Sequence, residues 1–101
     1  MDKNAFMIVD GTLYIDGEPV EGIAQMDDYC AGARIPLSNG YSLSVVFGPG
    51  AYCDGGKTTA ETAVFRPDGK FLYHVTGDQV EGHQTPAQVF ATMRRIEKTY
   101  A

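Results

Sequence analysis

The feature that most constrains the fold is a strand pattern in the middle of the chain. From Tyr41 to Phe47 the odd-numbered residues are apolar, with Ser42 and Ser44 between them, and only Val46 breaks the alternation. Residues two apart lie on the same face of a strand, so this pattern predicts a strand with one buried face. A second alternating run over residues 59–65 predicts a partner strand, and a short helix is the competing interpretation.

The segment between these two runs, residues 48–58, is rich in glycine. Its glycines are Gly48, Gly50, Gly55 and Gly56. Binding and catalytic side chains are often carried on loops that a rigid scaffold positions. If the sequence allows a functional site to be identified, we expect that site in this loop.

Turn signals organise the N-terminal part of the chain. Asp10-Gly11 separates two short β-rich runs and predicts a hairpin, and Asp16-Gly17 repeats the same turn chemistry. The run that follows, residues 18–20, should lie at a sheet edge, because Pro19 cannot donate a ladder hydrogen bond. Residues 21–38 are ambiguous, and we predict a loop there with one helical turn or a short strand at most.

The C-terminal part contains a predicted hairpin and one predicted helix. Residues 66–69 contain Pro-Asp-Gly and predict a turn before an aromatic run over residues 71–75. Residues 79–84 are predicted to form a polar connector. Thr85, Pro86 and Gln88 have the spacing of a capping box with proline at the first helical position. The apolar stripe of this helix comprises Val89, Phe90, Met93, Ile96 and Tyr100.

These elements predict a single α+β domain over residues 1–101. The expected architecture is an antiparallel, meander-like β-sheet packed on one face by the C-terminal amphipathic helix. With 44% hydrophobic residues in 101, the chain can build one core.

The charge of the chain is unevenly distributed. The net charge is -5, and the excess of acids lies in residues 1–50. This balance argues against binding to a phosphate backbone, which needs clustered Lys and Arg, and an acidic face could instead meet a basic partner protein. The candidate partner-binding residues are Glu18, Glu21, Asp27 and Asp28. No apolar run is long enough for a membrane span and the N-terminus lacks a signal-peptide pattern, so we predict a cytoplasmic protein.

The glycine-rich loop supports a second hypothesis, binding of a small ligand. Residues 51–58 loosely match phosphate-loop spacing, but the segment that follows is too short for the helix that such a loop requires. An anion-binding nest that holds a nucleotide without hydrolysing it stays open as an alternative. The residues of this candidate site are Gly50, Tyr52, Gly55, Gly56, Lys57 and Thr58.

Thiol catalysis is a third and weaker hypothesis. Cys53 is the candidate nucleophile, with bases and orienting acids drawn from His74, His83, Asp54 and Asp78. No local signature places these residues together, so the sequence does not predict an enzyme. The Cys and His residues are too dispersed for a zinc site, and no cofactor is predicted. A bridge between Cys30 and Cys53 stays open on spacing alone.

Three segments carry a resemblance to a known group of proteins. They are Asn39–Cys53, Thr59–Phe65 and Gly82–Pro86, which combine a strand, a Gly-x-Tyr-Cys loop, an Ala-Glu strand and a Thr-Pro helix start. In this combination the chain resembles small uncharacterised accessory proteins of tailed bacteriophages. The resemblance implies a non-enzymatic protein in the bacterial cytosol. Such a protein would bind and inhibit a host defence complex or a nucleic-acid-processing complex. An edge strand or the helix face could also support a homodimer.

Overall fold

The structure is a computed structural model that describes residues 4–26, 30–72 and 80–100. The elements in chain order are β1 (Phe6–Val9), β2 (Thr12–Ile15), β3 (Glu18–Val20), β4 (Ile23–Met26), β5 (Ala31–Pro36), β6 (Ser42–Phe47), β7 (Ala60–Phe65), β8 (Phe71–Leu72), β9 (Glu81–Gln84) and α1 (Pro86–Thr99). Every strand pair in this part of the chain is antiparallel. The predicted α+β class, antiparallel strands followed by a C-terminal helix, is confirmed.

The first three strands form a small sheet in the order β1-β2-β3. Asp10 and Gly11 have φ values of 50° and 79°, and Asp16 and Gly17 have values of 52° and 80°. Two successive left-handed residues define the turn that best matches the twist of a tight hairpin. Both predicted Asp-Gly turns are therefore confirmed, and β3 lies at the sheet edge as Pro19 requires.

The other strands form a larger sheet in the order β4-β5-β6-β7, and both β8 and β9 pair with the remaining edge of β7. Val64 and Phe65 of β7 pair with β8, whereas Ala60 and Thr62 pair with β9. The two short strands therefore lie one after the other along a single edge. The sequence suggested one meander-like sheet, and the structure divides the strands between two.

Two segments differ from the sequence predictions. Residues 21–38, predicted as loop with at most a helical turn or short strand, contain both β4 and β5. Residues 81–84 of the predicted polar connector form β9. In both segments, pairing with an apolar neighbouring strand overrides weak local β-propensity. The aromatic run predicted over residues 71–75 is observed as β8 for its first two residues, and the rest lies outside the described residues.

One core cluster joins the two sheets and the helix. Its members include Phe6, Leu13 and Ile15 of the small sheet, Leu43 and Val45 of the large sheet, and Val89 and Ile96 of the helix. Three stripe residues contribute less: Phe90 and Met93 are partly buried, and Tyr100 is exposed. Four of the five predicted stripe residues therefore contact the core, Val89 and Ile96 as buried members and Phe90 and Met93 at its margin.

Both ends of α1 are fixed by side chains. At the N-terminus, the Thr85 hydroxyl accepts from the Gln88 amide while the Gln88 side chain accepts from the Thr85 amide, so the predicted capping box is confirmed. At the C-terminus, Asn39 Nδ2 donates to the carbonyls of Ile96 and Tyr100 at 3.1 and 3.2 Å. The Ile96 carbonyl also accepts from the Tyr100 amide at 3.1 Å, so Asn39 adds a second donor there and supplies a donor to the terminal Tyr100 carbonyl.

The loop before β6 adds two more contacts to the end of the helix. The backbone amide and the hydroxyl of Ser38 donate to the carboxylate of Glu97, and Tyr41 stacks on Tyr100 at 4.8 Å between ring centroids. The amide and hydroxyl donors hold the pKa of Glu97 below its ordinary value of 4.5.

The strand register shows that one face of the large sheet packs into the core cluster and the other does not. Cross-strand partners share a face, and the rows Ala33, Val45, Thr62 and Ile35, Leu43, Val64 are all buried. The alternate rows carry Ile23, Arg34, Ser42, Ser44, Val46, Glu61, Ala63, Phe65 and Phe71. None of these nine residues belongs to the core cluster of the described chain. We call this side the outer face.

Candidate functional site

The glycine-rich loop is held against other elements at both of its ends. The amides of Ala5 and Phe6 donate to the carbonyls of Lys57 and Gly56 at 2.8 and 2.9 Å, which ties the end of the loop to β1. The His83 amide donates to the Tyr52 carbonyl at 2.8 Å, which ties its beginning to β9. The loop is thus anchored by backbone hydrogen bonds.

Asp54 organises the second half of the loop. Its carboxylate accepts hydrogen bonds from the backbone amides and hydroxyls of both Thr58 and Thr59. These donors, the Thr58 hydroxyl foremost, hold the pKa of the Asp54 carboxyl far below its usual range. The Asp54 carboxylate therefore takes up the hydrogen-bond donors at this end of the loop.

This arrangement argues against a phosphate-binding loop. A phosphate loop uses the amides and the hydroxyl at its Lys-Thr end to hold the anion. Here the Thr58 amide and hydroxyl already donate to Asp54, and the next element is the strand β7 rather than a helix. The expectation that the loose motif is not a true phosphate loop agrees with this geometry.

The paired glycines have a structural explanation. Gly55 and Gly56 have φ values of 82° and 90°, a region that other residues rarely adopt. A Cβ atom on Gly56 would lie 2.8 Å from the ring of Phe47 and 3.0 Å from the carbonyl oxygen of Phe6. Gly56 thus allows the loop to pass directly against the core, and this requirement accounts for glycine without any ligand.

The predicted ligand residues do not all meet at one cavity. A cavity of about 730 Å³ is lined by Asn4, Ala5, Asp16, Gly17, Lys57, Thr58, Thr85, Pro86 and Ala87. Of the six predicted residues only Lys57 and Thr58 belong to this lining, whereas Gly50, Tyr52, Gly55 and Gly56 do not. Tyr52 has an exposed ring, and its backbone packs against Gly82 on β9.

The thiol hypothesis gains no geometric support from the described residues. Cys53 is partly buried and packs against the core cluster. His83 is exposed on β9, and no hydrogen bond joins it to Cys53 in the described part of the chain. Its other candidate partners, His74 and Asp78, lie outside the described residues. Cys30 and Cys53 are not joined by a disulfide bond.

The predicted acidic surface is partly observed. Glu18, the first residue of β3, and Glu21, which follows β3, are both exposed, whereas Asp27 and Asp28 lie outside the described residues. The chain then enters β4, where Ile23 has 71% of its surface exposed. Sequence reasoning did not single out Ile23, because its exposure depends on β4 being the first strand of the large sheet.

Arg34 is a second residue that sequence reasoning missed. Its guanidinium carbon lies 3.6 Å from the centroid of the Phe65 ring on the outer face. The two residues are far apart in sequence, and only the register of β5, β6 and β7 brings them together. A lone arginine in an ambiguous segment gave no local signal.

No group of metal-binding side chains occurs among residues 4–26, 30–72 and 80–100. Within the same ranges, no helix is both long and apolar enough to cross a membrane. Comparisons of the chain with protein-family models, curated proteins and solved structures find no match.

Proposed function

We propose that this protein acts by binding another protein, and that it does so by accepting a partner strand at the edge formed by β4. The observation that carries the proposal is Ile23, a large apolar side chain that is 71% exposed on the first strand of the large sheet. An exposed edge strand presents unpaired backbone groups to other chains. An apolar side chain on such an edge adds buried area to the backbone hydrogen bonds.

Three other sheet edges in the described chain have features that oppose strand addition, and the β8 edge offers only two residues. Glu18 and Pro19 lie on β3, and Glu81 lies on β9. The start of β1 is bonded to the glycine-rich loop through the Phe6 amide. The sequence of β4 is Ile-Ala-Gln-Met, with no charge and no proline. Proteins commonly protect free edges with charge or proline, and β4 is a four-residue edge of the described chain that has neither.

Acidic groups beside this edge define the chemistry of the partner. Residues 4–26 contain four acids and no Lys or Arg: Asp10, Asp16, Glu18 and Glu21. A recess of about 340 Å³ beside Glu21 is lined by Gly11, Thr12, Pro19, Val20 and Gly22 as well. An extended partner segment that carries Lys or Arg would complement these charges. Such a segment could place its backbone on β4 and its basic side chains over Glu18 and Glu21.

The resemblance to bacteriophage accessory proteins suggests a bacterial host as the source of the partner. A defence or nucleic-acid-processing complex fits, because such complexes expose basic surfaces that an acidic protein can occupy. In this proposal the chain inhibits by covering a basic surface, without chemistry of its own.

Affinity purification from bacterial lysate with matched variants tests the proposal. The test variants are Glu18→Gln with Glu21→Gln, and Ile23→Ser. The control, Ala91→Lys with Thr99→Lys, makes the same charge change of two units at exposed helix positions. We expect one host protein that is enriched with wild type and control and is lost with both test variants. Its purified complex should weaken as salt increases.

The result that contradicts the proposal is equally specific. A host protein that binds all four forms alike would use another surface. If every variant is folded by circular dichroism and no host protein distinguishes them, the β4 edge is not an interface.

A small-ligand site is the second candidate, favoured by the cavity of about 730 Å³ beside Lys57. Its lining pairs this one base with Asp16, so a ligand with both charges would fit better than a bare phosphate. Thermal unfolding with a panel of nucleotides and amino acids tests this candidate. A stabilising ligand should lose its effect in Lys57→Ala and keep it in Lys98→Ala, a matched change at an exposed helix position. No stabilisation by any compound would count against the site.

A further inference from the structure

The outer face of the large sheet holds a cation on an aromatic platform. The Arg34 guanidinium lies over the Phe65 ring at 3.6 Å, and Phe65 in turn packs against Phe71 with 4.5 Å between ring centroids. Phe65 and Phe71 are cross-strand partners on β7 and β8, which fixes the platform to the sheet. A guanidinium on an aromatic face is attracted by the negative charge of the ring face, more strongly when water is excluded.

Two small residues make this contact geometrically possible. Arg34 is on β5 and Phe65 is on β7, so the strand β6 lies between them and the side chain must cross it. Adjacent strands are about 4.8 Å apart, and an extended arginine meets the Phe65 ring above β6 because both side chains reach across it. The outer-face residues of β6 at this point are Ser42 and Ser44, the cross-strand partners of Phe65 and Arg34. Their short side chains leave a path for the arginine stem.

The charge of Arg34 is not compensated within the described chain. No carboxylate in residues 4–26, 30–72 or 80–100 forms an ion pair with it, and the ion pair observed there joins Arg66 to Asp68 at 3.5 Å. The Nε atom of Arg34 is buried and has no hydrogen-bond acceptor among these residues. A partly buried cation without a counter-ion is unfavourable by itself, and a carboxylate on the terminal nitrogens would compensate its charge.

We propose that Arg34 and the Phe65–Phe71 pair form a binding site for a carboxylate side chain on an extended acidic peptide segment of a partner protein. The two terminal nitrogens of the guanidinium present the paired donors that a carboxylate accepts. Apolar residues two positions before and two positions after that carboxylate share its face of an extended segment. They would contact Ile23 on one side and the phenylalanine pair on the other. This site shares Ile23 with the proposed β4 interface, but it is tested through Arg34, which that interface does not use.

The surrounding charges favour a peptide over a nucleic acid. A phosphate backbone needs several bases in a row, but Arg34 shares the outer face with Glu61, and the chain has a net charge of -5. A single carboxylate between apolar neighbours requires one cation and an apolar surface, which is what this part of the sheet provides. The Arg66 and Lys70 side chains at the adjoining β7–β8 turn are exposed and add favourable charge at longer range.

A pair of capped peptides that differ only in charge provides the probe. The peptide Val-Ser-Glu-Ser-Val, whose two valines share a face with the glutamate when it is extended, is titrated into the labelled full chain at low salt, with Val-Ser-Gln-Ser-Val as its neutral match. We expect saturable shifts of the Arg34 side-chain N–H resonance and of the Phe65 and Phe71 ring resonances with the acidic peptide only. The affinity should be roughly millimolar, because one charged pair and two apolar contacts are gained.

Three variants identify the groups responsible. Arg34→Lys keeps the charge but loses the planar stack and the paired donors, so we expect affinity to fall by about tenfold. Arg34→Gln should abolish the shifts, whereas Arg95→Gln, the same charge change at an exposed helix position, should leave them unchanged. Dispersed two-dimensional spectra show that each variant is folded.

Several outcomes would overturn the proposal. Equal shifts with the neutral peptide would mean that Arg34 only supports the sheet, as would shifts that persist in Arg34→Gln. Tighter binding of an oligothymidylate than of the acidic peptide would assign the surface to nucleic acid. A concentration-dependent dimer in sedimentation that is lost in Arg34→Gln would assign it to a second copy of the chain.

Discussion

Two neighbouring glycines of the central loop allow two contributions to the free energy of unfolding to be separated: the steric cost of an added side chain and the cost of a left-handed backbone conformation. Gly55 and Gly56 have nearly the same backbone conformation, with φ values of 82° and 90°. A Cβ on Gly55 would meet no atom within 4 Å, whereas one on Gly56 would lie 2.8 Å from the Phe47 ring. We therefore predict that Gly56→Ala is much more destabilising than Gly55→Ala.

The magnitudes follow from two contributions. Placing alanine in the left-handed region costs about 1 to 2 kcal/mol, and this cost applies to both variants. Overpacking a closed core adds about 1 to 3 kcal/mol, and it applies only to Gly56→Ala because Phe47 is itself buried. The unfolded-state entropy gain from replacing glycine is similar at both positions and cancels in the comparison. The expected losses are about 2 to 5 kcal/mol for Gly56→Ala and about 1 to 2 kcal/mol for Gly55→Ala.

Urea unfolding followed by circular dichroism measures the difference. With a slope of roughly 1 to 3 kcal/mol per molar, the two midpoints should differ by about 1 M. Phe47→Leu should be less costly in the Gly56→Ala background than in wild type, because the shorter side chain relieves the contact. Equal midpoints for the two alanine variants would refute the argument that Gly56 is required by packing against the core.

Three further predictions concern the helix end and the core. Asn39→Ala should lower the free energy of unfolding by about 1 to 3 kcal/mol, measured in urea, because the Tyr100 carbonyl loses the Asn39 donor and the Ile96 carbonyl keeps only the Tyr100 amide. The folded-state pKa of Glu97 lies below its ordinary value of 4.5, so its stabilising contribution is present above that pH and lost as the pH falls through the folded pKa. Thermal unfolding between pH 7 and pH 3 should therefore show a smaller acid loss in Ser38→Ala than in wild type, and an identical loss would contradict the role of Ser38. Thr62→Val should raise the unfolding free energy in urea by about 1 kcal/mol, because the Thr62 hydroxyl is buried without a partner in the described chain; a loss instead would indicate a hydrogen bond to a buried water.

The sequence predicted those elements whose signals are local. The Asp-Gly turns specify hairpins because the required φ values are a property of two residues, and Thr85 with Gln88 marks the helix start in the same way. The alternation from Tyr41 to Phe47 was sufficient for β6. In contrast, β5 begins with Ala-Gly-Ala, which has weak β-propensity, and it forms because β6 pairs along its whole length.

The candidate sites were harder to predict because they depend on pairing between distant residues. The importance of Arg34 depends on Phe65, two strands away, and no pattern in the sequence gives that register. Asp54 was considered as a partner for Cys53, but its carboxylate instead binds Thr58 and Thr59 within its own loop. The glycine-rich composition correctly indicated that the loop has left-handed backbone conformations. The glycine at position 56, however, is explained by contact with the core rather than by a ligand.

The consecutive placement of β8 and β9 along β7 has a consequence for how this fold can change in evolution. Leu72 and Glu81 both pair with the same edge of β7, so both parts of that edge are filled whatever the length of the segment between them. The entropy of closing a loop grows slowly, and doubling its length costs only about 0.6 kcal/mol. Insertions between these two residues should therefore be tolerated far better than insertions elsewhere in the large sheet. This position offers a place where a tag, a reporter or a new binding segment can be added while the rest of the molecule keeps its structure.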